Sequence, residues 1–247
     1  MQSLSTEEIH QMFSDAVVRH GPLAGLRYAE MTSIASSLYP KLLGSYESEL
    51  HPWITEICEA GYTEIIDVGC AEGYYAVGLA MRVPKAAVYA YDTYEGSRQL
   101  CAACAKLNRV ARRLKIRSQF TAEELGSIPI RHRGLIVCDC DGGENEIFTD
   151  QSHRQFAEWD LLIETHDCYD ITISTRLAEL FRETHELRSI LSIDDIQKAK
   201  SYDYPELVGL DLATRRAILA EYRPTLMEWH FYSSRSALAR FQADRPI

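Results

Sequence analysis

The stretch IIDVGCAEGYYAVGLA, residues 65–80, decides how the chain is read. A short apolar run ends in an acid, Asp67. Three small residues follow (Gly69, Ala71, Gly73), and the sequence then turns helical. A buried strand, a tight turn and a helix start bring backbone close to a ligand. A dinucleotide turn carries G-x-G-x-x-G, and counted from Gly69 its last small position falls on Tyr74. A P-loop needs Gly-Lys-Ser or Gly-Lys-Thr, which does not follow.

Working outward, apolar runs and helical segments alternate. EIIDV (64–68), AVYAYD (87–92), GLIVCD (134–139) and DLLIET (160–165) read as buried parallel strands, with IRSQF (116–120) as a shorter one between the second and third. A sixth strand is expected near 186–193 and a seventh at LMEWHFYSSR (226–235), where Trp229 and Phe231 alternate as core. Helices are expected at 73–82, 95–109, 121–126, 144–157, 172–184 and 205–222. Before the sheet, helices are expected at 6–20, 22–39 and within SYESELHPWITEICEAG (45–61). The pattern predicts an α/β, Rossmann-like sheet of seven mostly parallel strands with helices on both faces. Residues 1–60 are expected to form an N-terminal helical cap on a core of residues 61–247.

Bulk properties narrow the function. At 247 residues and 28.1 kDa the chain can bury a full core. The net charge of −10 disfavours a phosphate backbone as partner, so nucleic acid is not expected. No apolar run approaches the roughly 20 residues of a membrane span. The opening MQSLSTEEIHQMF lacks a basic-then-apolar export segment, so a cytoplasmic protein is expected. Seven scattered cysteines fit reduced thiols. Cys101 and Cys104 form a C-x-x-C without a second pair, inside a helical run, and read as helix packing.

The pattern D-x-G-x-x-x-G of Asp67, Gly69 and Gly73 resembles motif I of class I S-adenosylmethionine-dependent methyltransferases, with Ala71 where the fuller form has glycine. The resemblance covers about residues 46–170. It implies that Asp67, Gly69, Cys70, Ala71 and Gly73 wrap the amino-acid end of S-adenosylmethionine, where the acids Asp67 and Glu72 suit a sulfonium and an ammonium. Asp92, 19 residues beyond Gly73, matches the acid that grips ribose hydroxyls, with Thr93 beside it. Thr121 and Ala122 stand where the family meets adenine.

At the end of the third long strand, Asp139, Asp141, Gly142 and Glu144 form an acid-x-acid-Gly-x-Glu pattern. It resembles the D-x-E-G-x-E of FkbM-type methyltransferases, which act mainly on hydroxyls; Asp141 is one methylene shorter than the family's Glu. Asp139 is expected on the cofactor side and Asp141 in catalysis. IETHDCY (163–169) brings Glu164, His166 and Asp167 to the same crevice. His166 suits a general base near neutral pH, and the acids suit a divalent metal, Mg²⁺ or Mn²⁺, with oxygen ligands. Tyr46, Trp53, Tyr74, Tyr75 and Tyr169 are expected to flank the pocket, with Tyr46, Glu164 and Tyr169 as substrate contacts.

The function implied is methyl transfer to a small-molecule acceptor, at a hydroxyl. The alternatives are a nicotinamide-dependent oxidoreductase and a non-catalytic S-adenosylmethionine-binding accessory protein. The partners expected are the small molecule and, at most, a second copy of the chain in a homodimer.

Overall fold

A computed structural model describes residues 1–237. The N-terminal part holds α1 (Thr6–Met12), α2 (Leu38–Leu43), a 3-10 turn at Ser48–Leu50 and α3 (His51–Glu59). The alternating part follows: β1 (Glu64–Val68), α4 (Tyr74–Arg82), β2 (Ala87–Tyr91), α5 (Glu95–Leu107), β3 (Leu114–Arg117), α6 (Ala122–Leu125), β4 (Gly134–Cys138), α7 (Glu144–Ile147), β5 (Trp159–Thr165), α8 (Ile173–Phe181) and β6 (His185–Leu191). Then come α9 (Asp195–Ser201), α10 (Leu212–Leu219) and β7 (Glu228–Ser234).

The strands form one sheet in the order β3-β2-β1-β4-β5-β7-β6. Pairs from β3 through β5 are parallel, and β7 runs antiparallel to both β5 and β6. This is the seven-stranded Rossmann-like sheet expected. Successive strand residues serve opposite faces: Ile65 enters one core, with Val77, Leu135 and Phe231, and Ile66 enters the other, with Ile136, Phe156 and Phe181. Burial on both faces explains the near-continuous apolar strands. Cys101 and Cys104 pack inside α5, as their spacing suggested.

The largest departures lie outside the alternating part. The helix expected over 6–20 shrinks to α1, and the helix expected over 22–39 does not form, only its last two residues joining α2. Between them the chain forms a strap, closed by Val18 N donating to Leu26 O (2.8 Å) and Tyr28 N to Ala16 O (2.8 Å). Gly21 and Gly25 take left-handed angles there, φ 77° and 88°, which a helix cannot accommodate. The strap is tied to the sheet through Glu72. Its carboxylate pairs with buried Lys41 at 2.6 Å and accepts from Tyr28, Ser33 and the Ile34 amide. Burial alone would raise its pKa, yet Lys41 and the Ile34 amide hold it below the ordinary value. Glu72 therefore serves the fold, and the ligand role expected for it is withdrawn.

Smaller shifts occur elsewhere. The short strand sits at Leu114–Arg117 rather than 116–120, leaving Ser118–Phe120 in a loop. The helix expected over 144–157 breaks after Ile147, where Thr149 and Ser152 hydrogen-bond each other, and resumes as a 3-10 turn at His153–Phe156. The helix expected over 205–222 is a 3-10 turn plus α10, and α9 was not foreseen.

Candidate functional site

At the carboxyl ends of the parallel strands lies a cavity of about 590 Å³, where open α/β sheets bind ligands. One end is built by the loop after β1. Gly69 (φ 86°) packs so close to β4 that a Cβ would stand 1.7 Å from the Asp139 carbonyl oxygen. No side chain fits there. The Gly69 and Cys70 amides both donate to Tyr91 O at 2.9 Å, and the Ala71 amide donates to Asp92 Oδ2 at 2.9 Å. The loop is thus stitched to the end of β2. Ala71 accepts a left-handed φ of 45° at the position where the family pattern has glycine. Gly73 caps α4 in the left-handed region and bonds back to Cys70 O (2.7 Å). It is not among the residues that line the cavity.

Two acids face this end. Asp67 is 2% exposed, and its Oδ2 has no hydrogen-bond partner. Burial, reinforced by the negative charge of Asp139, pushes its pKa up to about 8. Asp92 accepts from Ala71 with one oxygen and from the Tyr94 amide (2.8 Å) with the other. Each carboxylate oxygen keeps a second lone pair for a ligand hydroxyl. Thr93, Thr121 and Ala122 line the same end, with the Thr121 hydroxyl capping α6.

The other end gathers His166, Asp139, Asp141 and Glu164. His166 Nδ1 lies 2.6 Å from Oε1 of Glu144, a carboxylate with no exposure. Its Nε2 stands 3.5 Å from Asp139, 3.7 Å from Asp141 and 3.6 Å from Glu164. Burial disfavours the charged ring, but Glu144 and Asp139 outweigh it and hold the imidazole above its ordinary pKa. Asp141 sits at a left-handed φ of 52°, followed by Gly142 at 95°, with its side chain 68% exposed. Tyr46 is buried in the wall, and Tyr169 lies open at the rim, its ring centroid 5.9 Å from that of His166.

Some expected residues leave the site. Asp167 turns away to accept from the amide and hydroxyl of Ser174 (2.8 and 2.6 Å), a cap on α8. Trp53 stacks on Phe231, away from the cavity lining. Tyr74 and Tyr75 do reach the wall.

Sequence reasoning missed Arg223. Its guanidinium reaches Glu47 (2.5 Å), Glu164 and Glu221 (2.9 Å), and it lines the cavity with Glu164 and Glu221. Glu221 also pairs with fully buried Lys198 of α9. Burial lifts Glu47 to about 7 against the pull of Arg223, and burial with Asp139 lifts Glu164 well above the carboxylate range. No local signal marks Arg223, because two of its three partners, Glu47 and Glu164, come from distant parts of the chain.

Asp139, Glu164 and His166 are near enough to offer one atom each to a divalent cation. Glu164, however, is already engaged by Arg223, whereas Glu144 holds only Nδ1 of His166 and leaves Nε2 open. A hard cation also prefers oxygen ligands to a ring nitrogen.

No protein-family model and no curated protein matches the chain. Among solved structures, cofactor-bound Rv0187 from MTB is similar over 95% of this chain and 99% of its own, with TM-score 0.56 and 12% identity. An O-methyltransferase from Bacillus cereus in complex with SAH is similar over 92% and 89%, with TM-score 0.51 and 11% identity. At such identities the likeness is one of fold, the open seven-stranded Rossmann-like α/β sheet described above. Among the described residues no helix is long and apolar enough to cross a membrane.

Proposed function

We propose that this protein transfers the methyl group of S-adenosylmethionine to a small-molecule acceptor, at a hydroxyl oxygen. The observation that carries the proposal is the unpartnered, buried oxygen of Asp67 behind a loop too tight for any side chain at Gly69. A diphosphate would meet Asp92 and Asp139 with like charge and would bring no donor to Asp67, whereas an ammonium supplies the donor that Asp67 lacks. The residues present therefore fit S-adenosylmethionine. Asp67 and the Gly69–Ala71 loop would hold its amino-acid end, Asp92 its ribose, and Thr121 and Ala122 would border its adenine. Bound there, it supplies a methyl activated for in-line displacement.

The chain's own residues do the rest. The walls align the acceptor and exclude water. Glu144 fixes the ring of His166 so that Nε2 faces the cavity, where it can take the acceptor's hydroxyl proton. Asp141 stands beside that nitrogen. Its place in the acid-x-acid-Gly-x-Glu pattern supports a finer reading as an FkbM-like enzyme. Residues 1–60 act as the cap, since Ile34, Lys41 and Tyr46 close one wall of the cavity.

Melting in the presence of ligands tests the cofactor. S-adenosylhomocysteine should raise the melting temperature and NADH should not; stabilisation by NADH alone sinks the proposal. In an acceptor assay, His166→Ala should cut turnover about 10²- to 10⁴-fold. A chelator should have no effect. Loss of activity with EDTA, restored by Mg²⁺ or Mn²⁺, would replace the base with a metal.

A further inference from the structure

We infer that residues 30–36 of the strap form a gate over the cofactor end of the cavity, latched shut by Glu72 and Lys41, so that the cofactor enters and leaves by parting them; this deepens the methyltransferase reading and rests on it.

The two ends of this segment are firmly held. Before it, the Arg27 amide donates to Asn108 Oδ1 (3.0 Å), and Asn108 Nδ2 donates back to Arg27 O (2.7 Å). The Ala29 amide reaches Cys104 Sγ of α5 at 3.4 Å. After it, α2 is buried from Pro40 to Leu43. Residues 30–36 themselves form neither helix nor strand. Among the described residues, their backbone makes one hydrogen bond outside the segment, from the Ile34 amide to Glu72 Oε2 at 3.0 Å.

The rest of the latch is side chain. Ser33 Oγ donates to Glu72 Oε1 (2.9 Å), and Lys41 Nζ donates to Ser33 (3.1 Å), Ser36 (2.7 Å) and Glu72 (2.6 Å). One buried ion pair thus fastens the whole segment. Chain with so few backbone ties is the kind that opens locally while the rest of a fold stays intact.

The segment is more than a prop because of where it closes. Ile34, Ala35 and Ser36 line the cavity together with Gly69 and Ala71, the loop assigned to the cofactor's amino-acid end. Glu72 belongs to that same loop. It stands between Ala71, whose amide holds Asp92, and Gly73, which caps α4. The catch of the gate is therefore part of the turn that receives the cofactor.

The exchange rates of S-adenosylhomocysteine, followed by surface plasmon resonance on the immobilised full chain, test the inference. A gate slows entry and exit alike, so weakening its latch should raise both rate constants and leave Kd nearly unchanged. A prop whose loss loosens the site would raise the dissociation rate alone. Glu72→Gln should raise both rates about tenfold or more, the size of a lost hydrogen bond to a charged group. Ser33→Ala keeps the Lys41–Glu72 pair and should fold normally; it should raise both rates at least about threefold. Without ligand, hydrogen exchange should speed up over residues 30–36 in both variants and stay unchanged in β1. In the native protein, S-adenosylhomocysteine should slow it there. Unchanged rates in Ser33→Ala, a rise confined to dissociation, or strap exchange indifferent to the ligand overturns the gate while leaving the cofactor proposal standing. Native protein that does not bind S-adenosylhomocysteine overturns both.

Discussion

The two ends of the cavity are constructed by opposite means. The Asp67 end is made by one contiguous stretch, residues 67–73, whose backbone angles and glycine set its shape, with Asp92 added from the next strand. The Arg223 end is made by charges at positions 47, 164, 198, 221 and 223, drawn from four separate segments of the chain. Backbone geometry is a local property and leaves a motif in the sequence. An ion network is assembled by tertiary contact and leaves none. Stability and function should therefore respond differently at the two ends.

The largest effect is expected at the networked end. Arg223→Met leaves Glu47, Glu164 and Glu221 buried without their shared cation, a change costing about 3–5 kcal/mol in chemical denaturation. Its pH dependence is specific. Glu47 and Glu164 already have folded-state pKa values raised above the ordinary 4.5, Glu47 to about 7, and losing Arg223 raises them further. A carboxyl raised in this way favours the fold at low pH and loses that contribution as pH rises through its folded value. The deficit should thus be larger at pH 8 than at pH 5. A deficit independent of pH would mean that Arg223 acts by packing, and the contrast between the ends would fail.

An intermediate effect is expected at Asp67. Its folded pKa of about 8 stands above the ordinary 3.8, so the ligand-free protein should lose stability as pH rises between those values, by up to about 1.4 kcal/mol per unit. Asp67→Asn should remove this slope and melt higher than the native protein at pH 8. It should also forfeit most of the stabilisation by S-adenosylhomocysteine. A variant that keeps both the slope and the ligand response would show that Asp67 is neither the titrating group nor the ammonium partner.

The smallest effect is expected at Ala71. Ala71→Gly relieves a left-handed alanine and leaves its amide free to donate to Asp92, so the melting temperature should rise by about 1–2 °C with ligand response intact. A fall would show that the methyl group packs usefully in the loop.

The same contrast explains what could be read from the sequence. The strands and the helices directly after them were legible because hydrophobic period and glycine spacing are local. The 13–37 strap was not, since its polar groups are satisfied by Glu72, more than thirty positions away, and that bond outweighs helix propensity. Helix α9 was missed for a related reason: Lys198 is fully buried against Glu221, whereas a lysine in sequence reads as surface. At the site, His166 and the acids around it could be anticipated from strand ends. Which carboxylate each cation would claim could not, and Asp167 shows the consequence, its side chain spent on a helix cap.

The position of β7 bears on how the chain is made. It is the last strand in sequence among the described residues, yet it lies between β5 and β6, hydrogen-bonded to both, and carries the buried Trp229 and Phe231. Until residues 228–234 leave the ribosome, β5 has an open flank and β6 has no neighbour in the sheet. The nascent protein must therefore keep two exposed strand edges out of trouble while the segment that carries Arg223 is still being synthesised. Completion of the sheet and delivery of that arginine to the cavity are closely spaced events, since β7 ends eleven residues after Arg223.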